Sequence, residues 1–302
     1  MKKTTKTWIA GLTAVALLGA VGTVYYLNQN QTNQQQITKE NSGVSKMTNT
    51  EKAVALLKSF ETGDTSIAKE VLDKDYIQHN QTVPTGLDGF LQIMEGAKKG
   101  QGTATVEIKR QIEDGNTVVL HSVYDFGGQK MVGFDVFKFD ESGKITEHWD
   151  NLSPVRDANR SGHTQVDGVT SIDKNVNSEQ TKKLVSTYID DIIYGKNPDK
   201  LESYFDGDNY IQHNADMVDK VSGFKASPEQ MAQYGINMDY KKTHQVIAQG
   251  DFALVISEGN LAGKDTAFYD LYRVENGKIA EHWDVIADIL PAAEAKNENG
   301  KF

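Results

Sequence analysis

The chain has 302 residues, 38% of them hydrophobic and 25% charged, enough for two soluble domains with buried cores. Its formal net charge of −10, with no basic run to reverse it locally, argues against a nucleic-acid partner. It contains no cysteine, which excludes disulfides, thiolate nucleophiles, Cys-ligated zinc and lipid attachment through an N-terminal cysteine.

The N-terminus carries Lys2, Lys3 and Lys6 and then "WIAGLTAVALLGAVGTVYYL", Trp8 to Leu27, without a charge. Twenty such residues suffice to cross a bilayer as a helix. Residues 1–27 therefore read as a cleaved signal sequence or a membrane anchor. The length of the run and the Tyr25–Tyr26 pair favour the anchor. Either reading places the folded part outside the cytoplasm, membrane-anchored or secreted. Residues 28–50 are polar, Gln/Asn-rich and aperiodic, and read as a flexible linker.

Next, "TEKAVALLKSFETG" predicts a helix with Val54, Leu57 and Phe60 on one stripe, stopping at Gly63. "TSIAKEVL" predicts a second short helix. "YIQHN", Tyr76 to Asn80, sits where helix gives way to strand. A third helix is expected near "LDGFLQIMEGAKK", then four strands, "TATVEIKRQIE", "TVVLHSVYDF", "MVGFDVFKFD" and "KITEHWDNL".

"YIQHN" returns at Tyr210 to Asn214, 134 positions later. The "GKI" at Gly143 and the "EHWD" at Glu147 recur at the same offset, at Gly277 and Glu281. Between them the offset slips by one, so that Asp135 matches Asp270. This is a tandem duplication with the size of a domain, not of a solenoid repeat. The expected division is a first domain over 51–152, a polar linker over 153–176, a second domain over 177–290 and a tail over 291–302. In the second copy Ser178 is the expected helix cap, Gly195 closes that helix, and "PDKLESYF" and "SPEQMAQYGIN" supply the later ones. Helices first and antiparallel strands after make each unit α+β, with the helices on one sheet face.

A three-residue hairpin loop in "VENGK" would pair Asp270 with His282, and one more loop residue in the first copy would pair Asp135 with His148. Alternation along the strands then puts Asp135, Phe137, Phe139, His148 and Asp150 on one face, and Asp270, Tyr272, His282 and Asp284 on its counterpart. Ile145, Glu147 and Trp149, and likewise Ile279, Glu281 and Trp283, would occupy the opposite face. A carboxylate against apolar walls is a stronger base than a solvated one, and a histidine beside it can act as acid or donor. The same groups could equally bond only to each other or to the backbone. His79 and His213 are either pocket residues or turn histidines. Gln78, Asn80, Gln212 and Asn214 suit turn-stabilising amides. The two Trp faces suggest sheet-on-sheet packing of the units as an internal pseudo-dimer, or cover by each unit's own loops. His121, His163 and His244 have no histidine counterpart in the other copy. Nothing in the spacing demands a metal, and no phosphate loop or nucleophile elbow is present.

"YIQHN", "FDVFKFDESGKITEHWD" and "YDLYRVENGKIAEHWD" together resemble the SnoaL-like polyketide cyclase family of the nuclear transport factor 2-like superfamily, over about Thr50 to Leu152 and Asn177 to Ile289. The resemblance implies two cone-shaped domains, each a curved antiparallel sheet around a pocket closed by helices. It also implies acid/base aldol chemistry without a cofactor. The family's working Asp falls late in the last strand, which matches Asp150 and Asp284. The strand-before partner, a His in the family, falls at Asp135 and Asp270. The expected catalytic set is thus Asp150, His148, Asp135 and His79, with Asp284, His282, Asp270 and His213 in the second copy. Tyr76, Phe137, Phe139, Tyr210 and Tyr272 are expected to contact the ligand, a small apolar or carbonyl-containing molecule. Two functions stand side by side: a cofactor-independent lyase or isomerase, and a non-catalytic small-molecule-binding or interaction module.

Overall fold

Thr48 opens the first helix with a capping box: its side chain accepts from Glu51 N–H, and the Glu51 carboxylate accepts from Thr48 N–H at 2.7 Å. A computed structural model describes residues 46–99 and 104–302, together with Val44. The signal or anchor expected over 1–27, and most of the linker over 28–50, lie outside the described residues. Among the described residues no helix is long and apolar enough to cross a membrane.

Helix α1 (Asn49–Thr62) ends at Gly63 and buries Ala53, Leu56 and Leu57, a stripe turned slightly from the expected one. Helix α2 (Ser66–Val71) leads into β1 (Leu72–Gln78) and α3 (Gly86–Lys99). Four strands follow, β2 (Ala104–Asp114), β3 (Thr117–Phe126), β4 (Gln129–Phe139) and β5 (Ile145–Pro154). The second half has α4 (Ser178–Tyr188), running into a π-turn at Ile189–Ile193 and a 3₁₀ segment at Pro198–Tyr204. Its cap is Asn177, not Ser178, whose hydroxyl instead accepts from Gly250 N–H. Then come β6 (Ile211–Gln212), α5 (Val221–Gln233), β7 (Met238–Gln249), β8 (Phe252–Leu261), β9 (Lys264–Glu275) and β10 (Lys278–Asp288).

The two halves give two five-stranded sheets of one topology, β1-β5-β4-β3-β2 and β6-β10-β9-β8-β7. The fold is α+β, two units of one topology in tandem, each a five-stranded sheet with helices against it. The sheets are not wholly antiparallel. "YIQHN" supplies a fifth strand, β1 or β6, that runs parallel to the last one, pairing Gln78 with His148 and Gln212 with His282.

The strand register departs from the expected one by two residues in both halves. Lys278 pairs with Glu275, so the turn is the two-residue Asn276–Gly277, with φ of 52° and 73°. A bulge between Ile279 and Glu281 then adds one more residue to β10. Asp284 therefore faces Asp270, and Tyr272 faces His282. In the first half Phe139 pairs with Ile145, a bulge follows, and Asp135 faces Asp150 while Phe137 faces His148. A one-residue slip would have turned every side chain over, but turn and bulge together shift by two and keep the faces. The exception precedes the bulge. Ile279 joins the helix-side cluster with Val185, Tyr188 and Tyr210, whereas Trp283 lies in the cluster on the other side.

That other cluster contains residues of both sheets: Val132, Phe134, Val136 and Trp149 with Leu254, Tyr269, Leu271 and Trp283. Residues Thr48–Phe302 form a single compact unit. Asn151 crosses between the sheets, donating to the carbonyls of Val285 at 2.7 Å and Ala267 at 3.1 Å.

The stretches expected as a linker and a tail are packed in place. Val166 and Ile172, and also Ile289 and Phe302, rest against the cluster shared by both sheets. Buried Arg110 donates to the carbonyls of Val166, Asp167 and Val169, and its guanidinium lies 4.0 Å from the Trp283 ring centroid. The two stretches do reciprocal jobs. After β5, Asn159 donates to the carbonyls of Gln212 and Asn214, and Thr164 O meets His213 Nδ1 at 2.8 Å. After β10, Asn299 donates to Gln78 O and Asn297 to Asn80 O, and Gly300 O meets His79 Nδ1 at 3.1 Å. Each half thus has its "YIQHN" covered by the segment that follows the other half's last strand.

Candidate functional site

In the first half, β1, β4 and β5 each turn one row of polar side chains toward the helices. Along "YIQHN" the alternation of an extended chain sends Tyr76, Gln78 and Asn80 to that side and His79 to the other. Across β4 and β5 the same side carries Asp135, Phe137, His148 and Asp150. Leu57, Phe60, Phe90, Ile93, Phe126, Met131 and Leu152 complete the walls of a cavity of about 490 Å³. The floor is polar and the sides are greasy, the usual build of a small-molecule site.

The floor is a hydrogen-bonded chain with a definite proton count. Gln78 Oε1 accepts from Asn80 N–H at 2.8 Å and so must also accept from His148 Nδ1 at 3.1 Å. His148 Nε2 then faces Asp135 Oδ1 at 3.2 Å. With Nδ1 already a donor, one proton lies between Nε2 and that carboxyl. Tyr124 donates its hydroxyl to the other oxygen, Asp135 Oδ2. Burial pushes the Asp135 carboxyl up from its ordinary range, His148 pulls it down, and Asp150 adds to the rise. The His148 ring stacks on Phe137 at 4.5 Å.

Asp150 is held differently. Asn80 Nδ2 donates to its Oδ2 at 2.7 Å, while its Oδ1 is buried and accepts no hydrogen bond. Lys301 Nζ lies 3.9 Å from Oδ1 and donates to the Asp150 backbone carbonyl at 2.7 Å. Lys301 also lines the cavity. Burial lowers its ammonium pKa, and the nearby Asp150 opposes that shift.

Asp135, His148 and Asp150 bring ligand atoms within 4.8 Å of one another, as do Asp270, His282 and Asp284. The donor set does not suit a metal as it stands. Both Asp135 oxygens and both His148 nitrogens are engaged, which leaves only Asp150 Oδ1 for an ion, and the Lys301 ammonium already stands beside it.

The second half repeats the hydrogen bonds. Gln212 Oε1 accepts from Asn214 N–H and His282 Nδ1, His282 Nε2 meets Asp270 Oδ1 at 3.1 Å, and Asn214 Nδ2 donates to Asp284 Oδ2 at 2.6 Å. Tyr240 donates to Asp270, as Tyr124 does to Asp135. None of Asp270, His282 and Asp284 lines the first cavity or a second hollow beside β6 and β10. Burial, abetted by Asp270, pushes the Asp284 carboxyl up to about 6.

Three groups of expected site residues sit elsewhere. His79 and His213 are on the Trp side, not in the cavity. His79 stacks on Trp149 at 4.8 Å and bonds Glu147 at 3.0 Å; His213 stacks on Trp283 at 4.6 Å and bonds buried Glu281 at 2.8 Å. Tyr76 and Phe139 are buried but do not line the cavity. Tyr210 and Tyr272 are core residues of the second half. Asn80, Gln78 and Tyr124 were missed as site residues. A period-two reading of "YIQHN" would have found the first two. Lys301 gave no signal at all, being 151 positions from Asp150 and outside the repeat.

Residues 53–148 match the family model of the SnoaL-like domain. No curated protein matches the chain. Among solved structures, IdmH of Streptomyces antibioticus, a candidate polyketide cyclase, is 16% identical, with a TM-score of 0.31 over 35% of this chain and 93% of its own. An NTF2-like protein of unknown function from Cytophaga hutchinsonii is also 16% identical, with a TM-score of 0.32 over 36% of this chain and 92% of its own. TsrD of Streptomyces laurentii is 15% identical, with a TM-score of 0.30 over 34% of this chain and 88% of its own.

Proposed function

We propose that the first half is a cofactor-independent acid/base enzyme that takes a small, largely apolar carbonyl compound and removes a proton α to the carbonyl. One observation carries this reading: Asp150 lines an apolar-walled cavity with one oxygen fixed by Asn80 and the other accepting no hydrogen bond. A carboxylate so placed is oriented and desolvated, which is what a general base needs. The developing enolate oxygen requires a donor, and the proton shared by His148 and Asp135 lies close by. His148 becomes that donor once the substrate oxygen takes the place of Asp135 Oδ1 at Nε2, while Gln78 keeps Nδ1 and Tyr124 keeps Asp135 in place. The reaction is of the aldol-condensation or isomerase type. The SnoaL-like match over the first half supports that class. The apolar run at Trp8–Leu27 supports an exported or membrane-anchored protein.

The second half fits a non-catalytic role. Its repeated Asp–His–Asp set lines neither of the two hollows described above, and Tyr188, Tyr204, Phe205, Tyr210 and Tyr272 pack as an aromatic cluster on its helix side. It supports the first half through the shared inter-sheet core.

Proton exchange between small ketones and D₂O, followed by NMR, tests the proposal. Asp150→Asn should slow exchange about 100-fold or more, while Asp284→Asn leaves the rate unchanged. Exchange that survives intact in Asp150→Asn removes Asp150 from the chemistry.

A further inference from the structure

The segment after β10 brings an amine into the first cavity. Asn297, Asn299 and Gly300 tie that segment to the "YIQHN" backbone and to His79, and the ties place Lys301 beside Asp150. The Lys301 side chain is 10% exposed. Its one hydrogen bond goes to a backbone carbonyl, so the nitrogen is not locked to a carboxylate. The segment in the equivalent position on the second half sends no lysine to Asp284. There Arg156 reaches out to exposed Asp216 instead.

We propose that Lys301 is an amine nucleophile that condenses with the carbonyl group of the compound bound in the first cavity. This deepens the reading of that cavity as a carbonyl site and rests on it. Asp150 Oδ1, 3.9 Å away, first accepts a proton from the ammonium and frees the nitrogen lone pair. Nitrogen attacks the carbonyl carbon, the C=O π pair moves to oxygen, and that oxygen takes the extra proton now on the nitrogen to give a carbinolamine. Asp150 then returns a proton to the hydroxyl, water leaves, and a C=N bond remains. Amine and carbonyl give imine and water, and nothing is oxidised or reduced. Desolvation favours this chemistry because a buried ammonium gives up its proton more readily than an exposed one. The substrate class is an aldehyde or ketone with an apolar body, and the imine would make its α proton more acidic for the same Asp150.

The probe is 2,4-pentanedione, whose condensation with an amine ends in a stable enaminone. The full-length protein is incubated with it near pH 7, and each lysine is followed by peptide mass mapping for the mass of the diketone less one water. Lys301 is expected to label at least tenfold faster than exposed lysines such as Lys196 and Lys264, and Asp150→Asn is expected to slow it. Labelling is read on the unaltered protein, so no variant has to fold. Equal rates at Lys301 and the exposed lysines overturn the proposal. α-Proton exchange measured in parallel separates the two claims. Exchange without preferential labelling sinks the amine role alone. Labelling without exchange sinks proton abstraction by Asp150 and leaves the amine. Loss of both sinks both.

Discussion

Asn80 donates to Asp150 Oδ2 at 2.7 Å, and 134 positions later Asn214 donates to Asp284 Oδ2 at 2.6 Å. The same amide orients the same carboxylate in each half, and Asp150 lines the apolar-walled cavity of the first. Asn80→Ala and Asn214→Ala should each cost about 1–3 kcal/mol in urea unfolding, because each strips a donor from a buried carboxylate. Only Asn80→Ala should also lower ketone exchange. Equal catalytic effects of the two would place the reaction in both halves.

Asp284 should give the second half a pH signature. Burial pushes its carboxyl up to about 6 in the folded chain, against an ordinary value of 3.8. Both states are protonated below the unfolded value, so its stabilising contribution is complete there and is lost as the pH rises through about 6. Relative to Asp284→Asn, the natural protein should lose about 2 kcal/mol of unfolding free energy between pH 4 and pH 7. A difference that stays flat across that range would mean that Asp284 ionises as easily inside the fold as outside it.

The Asn276–Gly277 turn fixes the register that sets Asp284 opposite Asp270. Gly277 has φ of 73°, a left-handed conformation that costs an L-residue about 1–2 kcal/mol. Gly277→Ala should lose that much in thermal or urea unfolding. Asn276→Gly, at φ 52°, should be close to neutral. The opposite ranking would indicate a different turn.

Gly168 seals the buried ion cluster on the Trp side of the second half. A methyl there would stand 2.0 Å from Glu281 Oε1 and 2.9 Å from His213 Nε2. Glu281 also takes Arg273 Nε at 2.8 Å, so pushing it aside leaves buried charges without partners. Gly168→Ala should cost about 3–5 kcal/mol, more than Gly277→Ala. An alanine tolerated within 1 kcal/mol would mean the cluster has room to yield.

Met131 lines the cavity at its apolar wall and is only partly buried. Met131→Trp should fill space rather than disturb the core. Affinity for an apolar carbonyl probe should fall about tenfold or more, with the unfolding midpoint little changed. Unaltered binding would put the ligand elsewhere.

The sequence made the two copies visible because identical phrases recur at a fixed offset, and the inward polar row visible because strand side chains alternate. Which residues stand opposite each other was not legible. It depends on one turn and one bulge, and each alone reverses the faces while the two together restore them. His79 was misplaced because "YIQHN" was read as a turn, and in a turn alternation says nothing. It forms a strand through its parallel pairing with β5, a contact between segments 70 residues apart. Lys301 reaches the cavity only through tertiary packing, which no local pattern records.

The crossed covering of the two "YIQHN" strands bears on how the chain is made. Residues 290–302 leave the ribosome after everything they cover, so the first half emerges early and waits, its His79 and Asp150 unroofed, until the second half has been synthesised. An active first site would therefore report that both halves have been made, because a product cut short in the second half lacks the cover over its first sheet.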